Sequence, residues 1–416
     1  SEFYIETNNM GAIHTDRLRP GLILAEDVQD INGRLLLTKG QVIQPKHIRI
    51  FKIWGISEVN IIDDAQSNAE LQAEGHTENI EQVENVVKTV FSHTDLEHPA
   101  IREIFKLAVS YRSTQNEVEA DSNIDLKECA IPEEDREKDF FNRLSQKKII
   151  LPEIPSIVFE LNEVIANPVS SVEEIAQVVN RSPSLTALLL KIVNSSFYGF
   201  PSKIIKISHA VTLIGTREIS GLALGISILS IFKKIPKEII DMYSFLKHSL
   251  ACGILSRILA ANINFPQTEQ LFVSGLLHDL GRLIFYIYFP EESRNVLSRS
   301  RTRCNLLFEE ETDYLGCNHA QIGTQLLKQW KLPLVLENNV FYHHSPSEAQ
   351  QPIPAALVHL SDIIVNALGI GSSGEKFVPP LDNRAWEELE LTPSCFETVI
   401  GQGIHQFYGL ETILQA

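Results

Sequence analysis

Residues 275–281 read Gly-Leu-Leu-His-Asp-Leu-Gly. The apolar run Leu271–Leu280 predicts a helix that His278-Asp279 closes just before Gly281. An ionisable pair at the end of an apolar helix directs attention to the inward faces nearby. His248 is followed on one helical face by Ala251, Leu255 and Ile258, and His319 by Ile322, Gly323, Leu326 and Trp330, so both are predicted to point inward. His343-His344 ends another helix, and Asp362 sits inside an apolar helix beginning near Pro354.

Helices of a bundle can bring side chains from distant sequence to one point. Histidine and aspartate suit Fe, Mn or Zn, and a carboxylate such as Asp279 can bridge two ions. A divalent ion in such a site makes water acidic enough to attack a phosphoryl group at neutral pH. One inward histidine is more often a hydrogen-bonded core residue than a ligand. Five of them with two aspartates, on four or five separate helices, strain that bland reading, although spacing alone does not bring them together.

Outward from this region, three parts differ in character. Residues 12–63 predict a small β-rich domain, with strands at Leu22–Ala25, Leu35–Leu37 and Val59–Ile62, a hairpin turn at Asn32-Gly33, and a short helix from Pro45 to Trp54. His47 is its one notable ionisable residue, which gives it no catalytic set. Residues 64–140 hold 19 acidic against 7 basic residues and read as an acidic, partly helical connector, with helical spacing at Val86–Val90 and Ile101–Val109. Its charge is most simply a solvated surface. From 141 to 416 the pattern is helical: Ser171 heads a capping box with Glu174, and Ser182-Pro183 opens the next helix. Tyr198, Phe200 and Pro201 form an aromatic corner that packing explains most simply. The fold class is mainly α, an all-α module behind a small β-rich domain and a helical connector.

The bounds agree. The 416 residues suit two or three domains, and 44% hydrophobic content supports real cores. The longest apolar run, near Gly221–Phe232, is too short for a bilayer, and no secretory signal is expected at the N-terminus. Five scattered cysteines without a Cys-x-x-Cys pair fit reduced thiols, so a cytoplasmic location is expected. A net charge of −17 argues against a generic grip on nucleic acid.

The Gly275–Gly281 stretch resembles the signature of the HD superfamily of phosphohydrolases. Asn180-Arg-Ser-Pro-Ser-Leu185, Leu190-Lys-Ile-Val-Asn-Ser-Ser-Phe-Tyr-Gly199 and Ile207-Ser-His-Ala-Val-Thr-Leu-Ile-Gly215 resemble the front half of HDOD (HD-related output) domains. Trp330-Lys-Leu-Pro333, His343-His344 and Val358-His-Leu-Ser-Asp362 resemble their rear half, giving coverage from about Leu151 to Gly371. The segment Leu18–Val28 together with Asn32–Gly40 is similar to a small domain found ahead of HD-GYP and HDOD modules.

In HD-GYP enzymes, the resemblance implies, His248, His278, Asp279, His319, His343, His344 and Asp362 hold metal for hydrolysis of cyclic di-GMP. Three departures bear on this. Ser345-Pro-Ser-Glu-Ala349 stands where those enzymes carry an acid and the Gly-Tyr-Pro loop, Ser244 where a carboxylate is expected, and Arg282 where lysine is usual. HDOD modules are generally signalling outputs without established catalysis. The resemblance therefore implies a bacterial regulatory module working through signalling proteins or a nucleotide ligand. The competing reading is a metal-dependent phosphohydrolase of nucleotides or cyclic dinucleotides, with Arg282 gripping a phosphate bidentately. An iron-based sensor is a third. Cys317, two residues before His319, is taken as a small apolar residue.

Overall fold

The computed structural model describes most of residues 10–62, all of 82–115, and 156–414 apart from 168, 196–197, 233–235 and 237. The chain divides into two units, Ser1–Asn79 and Ile80–Ala416.

In the first unit, strands β1 (Met10–His14), β2 (Ile23–Leu24) and β5 (Glu58–Ile62) form an antiparallel sheet in the order β1-β5-β2, and β3 (Val28–Gln29) pairs with β4 (Leu35–Leu37). Val59 and Ile61 of β5 turn inward with Leu24, Val28, Leu37 and Phe51, the period-two pattern of a half-buried strand. The strands expected at Leu22–Ala25, Leu35–Leu37 and Val59–Ile62 are present in these positions. Strand β1 is an addition, since Met-Gly-Ala-Ile-His carries no alternating apolar pattern to announce it. The Asn32-Gly33 turn lies outside the described residues, as does most of Pro45–Trp54, of which His47, Ile48 and Phe51 are helical. His47 is buried and its Nδ1 accepts the Gln44 N–H at 3.2 Å, a structural role.

The helical unit begins earlier than the sequence suggested. Segment 82–91 and α1 (Pro99–Gln115) bury Val83, Val87, Phe91, Ala100, Ile101, Ile104 and Ala108 in the main core. Arg112 of α1 donates to the Asn366 and Ala367 carbonyls, both at 2.9 Å. These residues are part of the module and not of a separate connector. Averaging over 64–140 hid this, because acids and bases are equal in number within 82–115 and the acidic excess lies on either side.

Further on, Ser171 caps α2 (Val172–Asn180) in a capping box with Glu174, and Ser182 caps α3 (Pro183–Val193), as expected. Asn194 closes α3 by donating to the Leu190 and Ile204 carbonyls, both at 2.7 Å, and Tyr198 stacks on Phe200.

The helices that matter most are α4 (Met242–Asn262), α5 (Thr268–Leu277), α6 (Leu280–Tyr288), α7 (Leu307–Leu315), α8 (His319–Gln329), α9 (Leu334–Phe341) and α10 (Pro352–Leu368). The single helix expected over Leu271–Leu280 is in fact two, with His278 and Asp279 at the joint between α5 and α6. Both halves are buried nearly all round, so apolar periodicity gives no sign of the break. Thr268–Tyr288 is long and apolar enough to cross a bilayer, yet 89% of its apolar window is buried inside the protein, so it is a core segment.

Glycine sets how closely these helices meet. A Cβ on Gly275 would lie 2.7 Å from the Cys252 carbonyl, and one on Gly253 would lie 2.8 Å from the Phe272 carbonyl, so α4 and α5 touch backbone to backbone. A Cβ on Gly281 would fall 1.9 Å from the His319 carbonyl oxygen. Those obstructing atoms are backbone and cannot swing aside. Gly281→Ala is therefore expected to destabilise the protein by about 2 kcal/mol or more in urea unfolding. Gly401→Ala, where a Cβ meets nothing within 4 Å, should be neutral or stabilising by up to about 1 kcal/mol.

Candidate metal centre

The close helix contacts deliver seven side chains to one place. Each of His248, His278, His319 and His343 is fully buried, Asp279 and Asp362 nearly so, and only His344 is partly open, with Phe308 stacked on its ring at 4.2 Å. The α4–α5 crossing sets His248 Nε2 3.4 Å from His278 Nε2. Asp362 reaches in from α10, its Oδ1 3.2 Å from His248 Nε2 and 3.5 Å from His278 Nε2. Asp279 Oδ2 faces the same two imidazoles at 3.5 and 3.2 Å.

Its other oxygen, Oδ1, is 3.0 Å from His319 Nε2. His319 Nε2 in turn lies 3.1 Å from His343 Nε2 and 3.0 Å from His344 Nε2. Asp279 thus stands between two ligand groups, His248/His278/Asp362 and His319/His343/His344, and offers one oxygen to each. It occupies the N-cap position of α6 without using its carboxylate to cap the helix, which leaves Oδ1 without a donor and Oδ2 shared with Arg282.

Hydrogen bonds fix the tautomers. His278 Nδ1 donates to the Gly275 carbonyl at 2.8 Å, His343 Nδ1 to the Val340 carbonyl at 2.7 Å, and His319 Nδ1 to Glu311 Oε2 at 2.6 Å. A carbonyl or carboxylate only accepts, so the proton sits on Nδ1 and the neutral ring presents a bare lone pair at Nε2. Those lone pairs face one another, and Asp279 Oδ1 has no hydrogen-bond donor. Histidines backed by carbonyls and a carboxylate, with Nε2 atoms converging, are the usual support of a metal centre. The donor set fits one or two divalent ions of the Fe, Mn or Zn kind.

Electrostatics point the same way. Burial works to lower the His278 imidazole and to raise the Asp279 and Asp362 carboxyls, but mutual attraction outweighs it. His278 is raised to about 10, while both aspartates are held well below the usual carboxylate range, with Arg282 acting on Asp279 as well. Burial, joined by neighbouring imidazolium charge, holds His343 and His344 well below theirs. The two carboxylates therefore demand positive charge in their midst, from protons or from metal.

Arg282 does not serve the role expected of it. It is fully buried and its guanidinium is already committed: Nη1 donates to Asp279 Oδ2 at 3.2 Å and to Ser373, Nε donates to Glu311 Oε1 at 3.3 Å, and Nη2 lies 3.9 Å from Glu375. A cation so enclosed is a counter-charge for three carboxylates, not a grip for a phosphate. Through Glu311 it also braces His319, whose backbone N–H donates to Glu311 Oε2 at 2.8 Å. Ser244 contributes its carbonyl, which accepts the Ser372 N–H at 3.1 Å.

Three residues escaped the sequence reading. Glu311 sits in an acidic run on α7, Glu309–Glu311, in which nothing marks one acid as buried. His359 donates from Nδ1 to the His343 carbonyl at 2.7 Å and accepts the Asp382 N–H at 3.1 Å, which holds the His343-His344 turn. Cys252 lies with Sγ 3.7 Å from His248 Nε2 and could have been found, because it stands four residues after His248 on the same helical face.

Comparisons with known proteins agree with this architecture. Residues 151–346 match the HDOD domain family. An HDOD domain protein of unknown function from Geobacter sulfurreducens has a similar structure, with a TM-score of 0.56 and 20% identity over 67% of this chain and 97% of that one. A protein from Shewanella amazonensis provisionally named a phosphohydrolase follows at TM-score 0.52 and 20% identity, covering 65% of this chain and 97% of that one. At these identities the likeness is one of fold. An uncharacterized protein of Treponema pallidum is 25% identical over 202 residues, which is 48% of this chain and 39% of that protein. The match thus spans about two fifths of that relative's length.

Two outcomes are expected. Arg282→Met should cost about 3–5 kcal/mol in chemical unfolding, because Asp279, Glu311 and Glu375 would be left buried without their counter-charge. Metal binding should release protons. His278, raised to about 10 by its carboxylates, holds a proton at neutral pH in the metal-free protein, and the ion must displace it. Calorimetric titration in buffers of different ionisation enthalpy should show release that shrinks, and affinity that rises, as pH climbs toward that value.

Proposed function

We propose that this chain, which carries an HDOD domain at residues 151–346, is a bacterial signal-transduction regulator that acts through binding, with a divalent metal centre holding its helical module in the signalling conformation. The burial of the ligand set carries this reading. Six of the seven side chains are at most 7% exposed, and the nearby Arg282 is spent on Asp279 and Glu311. A phosphoryl substrate needs an open approach and a free cation, whereas ions that clamp six helices or their ends need enclosure.

A ligand has room elsewhere in the helical unit. A cleft of about 460 Å³ is lined by Asn162, Arg217, Glu218, Glu269, Lys331 and Leu336, and by none of the seven centre residues. This volume is in the range of small-molecule sites. The cleft brings Asn162 and Arg217 from the front half of the module beside Glu269 and Lys331 from the rear half. A nucleotide or a partner's side chain seated there would bias how the halves pack, while the metal centre keeps the rear half rigid.

The phosphohydrolase reading retains one favourable observation, the position of Asp279 between two ligand groups, an arrangement suited to a pair of ions. A panel of cyclic dinucleotides, nucleoside phosphates and simple phosphodiesters, incubated with metal-loaded protein, separates the two. No turnover is expected, together with a rise in melting temperature on metal loading that the Asp362→Ala variant lacks. Metal-dependent hydrolysis abolished by Asp362→Ala would overturn the regulatory reading in favour of the enzymatic one.

A further inference from the structure

Cys252 is fully buried on α4, one helical turn after His248, and its backbone is locked against α5 at the Gly275 contact. We propose that Cys252 supplies a thiolate to the metal position formed by His248, His278 and Asp362, and so makes that position selective for zinc or iron(II) over magnesium or manganese. The inference rests on the metal-centre reading above and adds a ligand and a selectivity to it.

Geometry carries it. The four donor atoms of His248, Cys252, His278 and Asp362 all lie within 4.8 Å of one another. A tetrahedron with metal–nitrogen bonds of about 2.0–2.1 Å and a metal–sulfur bond of about 2.3 Å has nitrogen–nitrogen edges of roughly 3.4 Å and nitrogen–sulfur edges of roughly 3.6 Å. The corresponding separations are 3.4 Å between the two Nε2 atoms and 3.7 Å between His248 Nε2 and Cys252 Sγ. The nitrogen–oxygen edges to Asp362 are 3.2 and 3.5 Å. Four of the six edges thus match a zinc-sized tetrahedron, and the remaining two, from Cys252 Sγ to His278 and to Asp362, lie within 4.8 Å.

A buried cysteine is often only a small apolar filler. Helix periodicity alone sets Cys252 beside His248; what singles the sulfur out is that the donor atoms of His278 and Asp362, from other helices, lie within 4.8 Å of it as well. The second group, His319, His343 and His344 with Asp279 Oδ1, includes no sulfur, and its nitrogen–nitrogen edges of 3.0–3.1 Å are shorter. The two positions therefore differ in softness: one has a thiolate, the other only nitrogen and oxygen. Soft thiolate favours zinc and iron, while the harder set leaves room for manganese. On binding, the Cys252 thiol gives its proton to solvent as the sulfur–metal bond forms.

Cobalt(II) tests this on the full chain, because thiolate ligation produces an intense near-ultraviolet sulfur-to-cobalt charge-transfer band that nitrogen and oxygen ligands do not. The band is expected in the wild-type protein and in Cys317→Ser, and absent from Cys252→Ser, which should still bind cobalt through its imidazoles. Zinc affinity should fall by about tenfold or more in Cys252→Ser with manganese affinity unchanged. Cys252→Ala serves as the second variant if the serine form does not fold. Cobalt bound without the band in the wild-type protein, or a band that survives in the Cys252 variants, would overturn the thiolate assignment and leave the metal centre standing. Failure of cobalt to bind at all would overturn both.

Discussion

Imidazole lone pairs turned toward one another around two buried carboxylates need positive charge between them. His278, His319 and His343 have their Nδ1 protons committed to carbonyl or carboxylate acceptors, so in their neutral forms the Nε2 atoms face inward without hydrogens of their own. At the 3.1 Å between the Nε2 atoms of His319 and His343, two neutral rings so oriented set lone pair against lone pair. Protons drawn onto His278 by the aspartates, and onto His319 by Glu311 with Asp279, relieve the repulsion in part against the cost of burial. Metal ions at these positions would relieve it fully and satisfy the carboxylates as well. Much of the helical module is arranged around this requirement.

The arrangement costs helix packing its usual freedom. Bringing His248 to His278 demands the backbone contact that Gly253 and Gly275 permit, and bringing His319 to Asp279 demands the still closer contact at Gly281. The break between α5 and α6 places Asp279 where each of its oxygens meets a different histidine set. Arg282 then balances the excess negative charge from the far side, reaching Asp279 and Glu311 together and tying them to the loop at Ser373 and Glu375. The same contacts leave the cluster enclosed, with six of the seven side chains buried.

The sequence disclosed the seven clustered side chains but not their surroundings. His248, His319 and Asp362 were legible because helical periodicity shows which side chains turn inward, and His278-Asp279 because polar residues inside an apolar run are conspicuous. That all seven converge was implied only by resemblance to HDOD and HD-GYP modules, since convergence is a matter of tertiary crossing. Arg282 was misjudged because a charged residue in sequence does not reveal whether its partners are solvent or buried acids. Glu311 belongs to a run of glutamates of which Glu309 is exposed and Glu310 and Glu311 are buried, and composition treats all three alike. Segment 82–115 was absorbed into the acidic stretch by averaging, although its own apolar stripe was plain. In the β unit, strands with alternating branched residues were readable and β1 was not, because Met10–His14 is held by pairing with β5 rather than by its own pattern.

The account stands or falls on whether the cluster holds metal. Elemental mass spectrometry of protein purified without oxygen or chelator, beside a His278→Ala/Asp279→Ala variant, decides it. Near-stoichiometric zinc, iron or manganese in the wild-type protein, lost in the folded variant, is the predicted result. Folded wild-type protein that carries no metal and takes up none when it is supplied would contradict it, and would make the cluster a proton-sharing remnant.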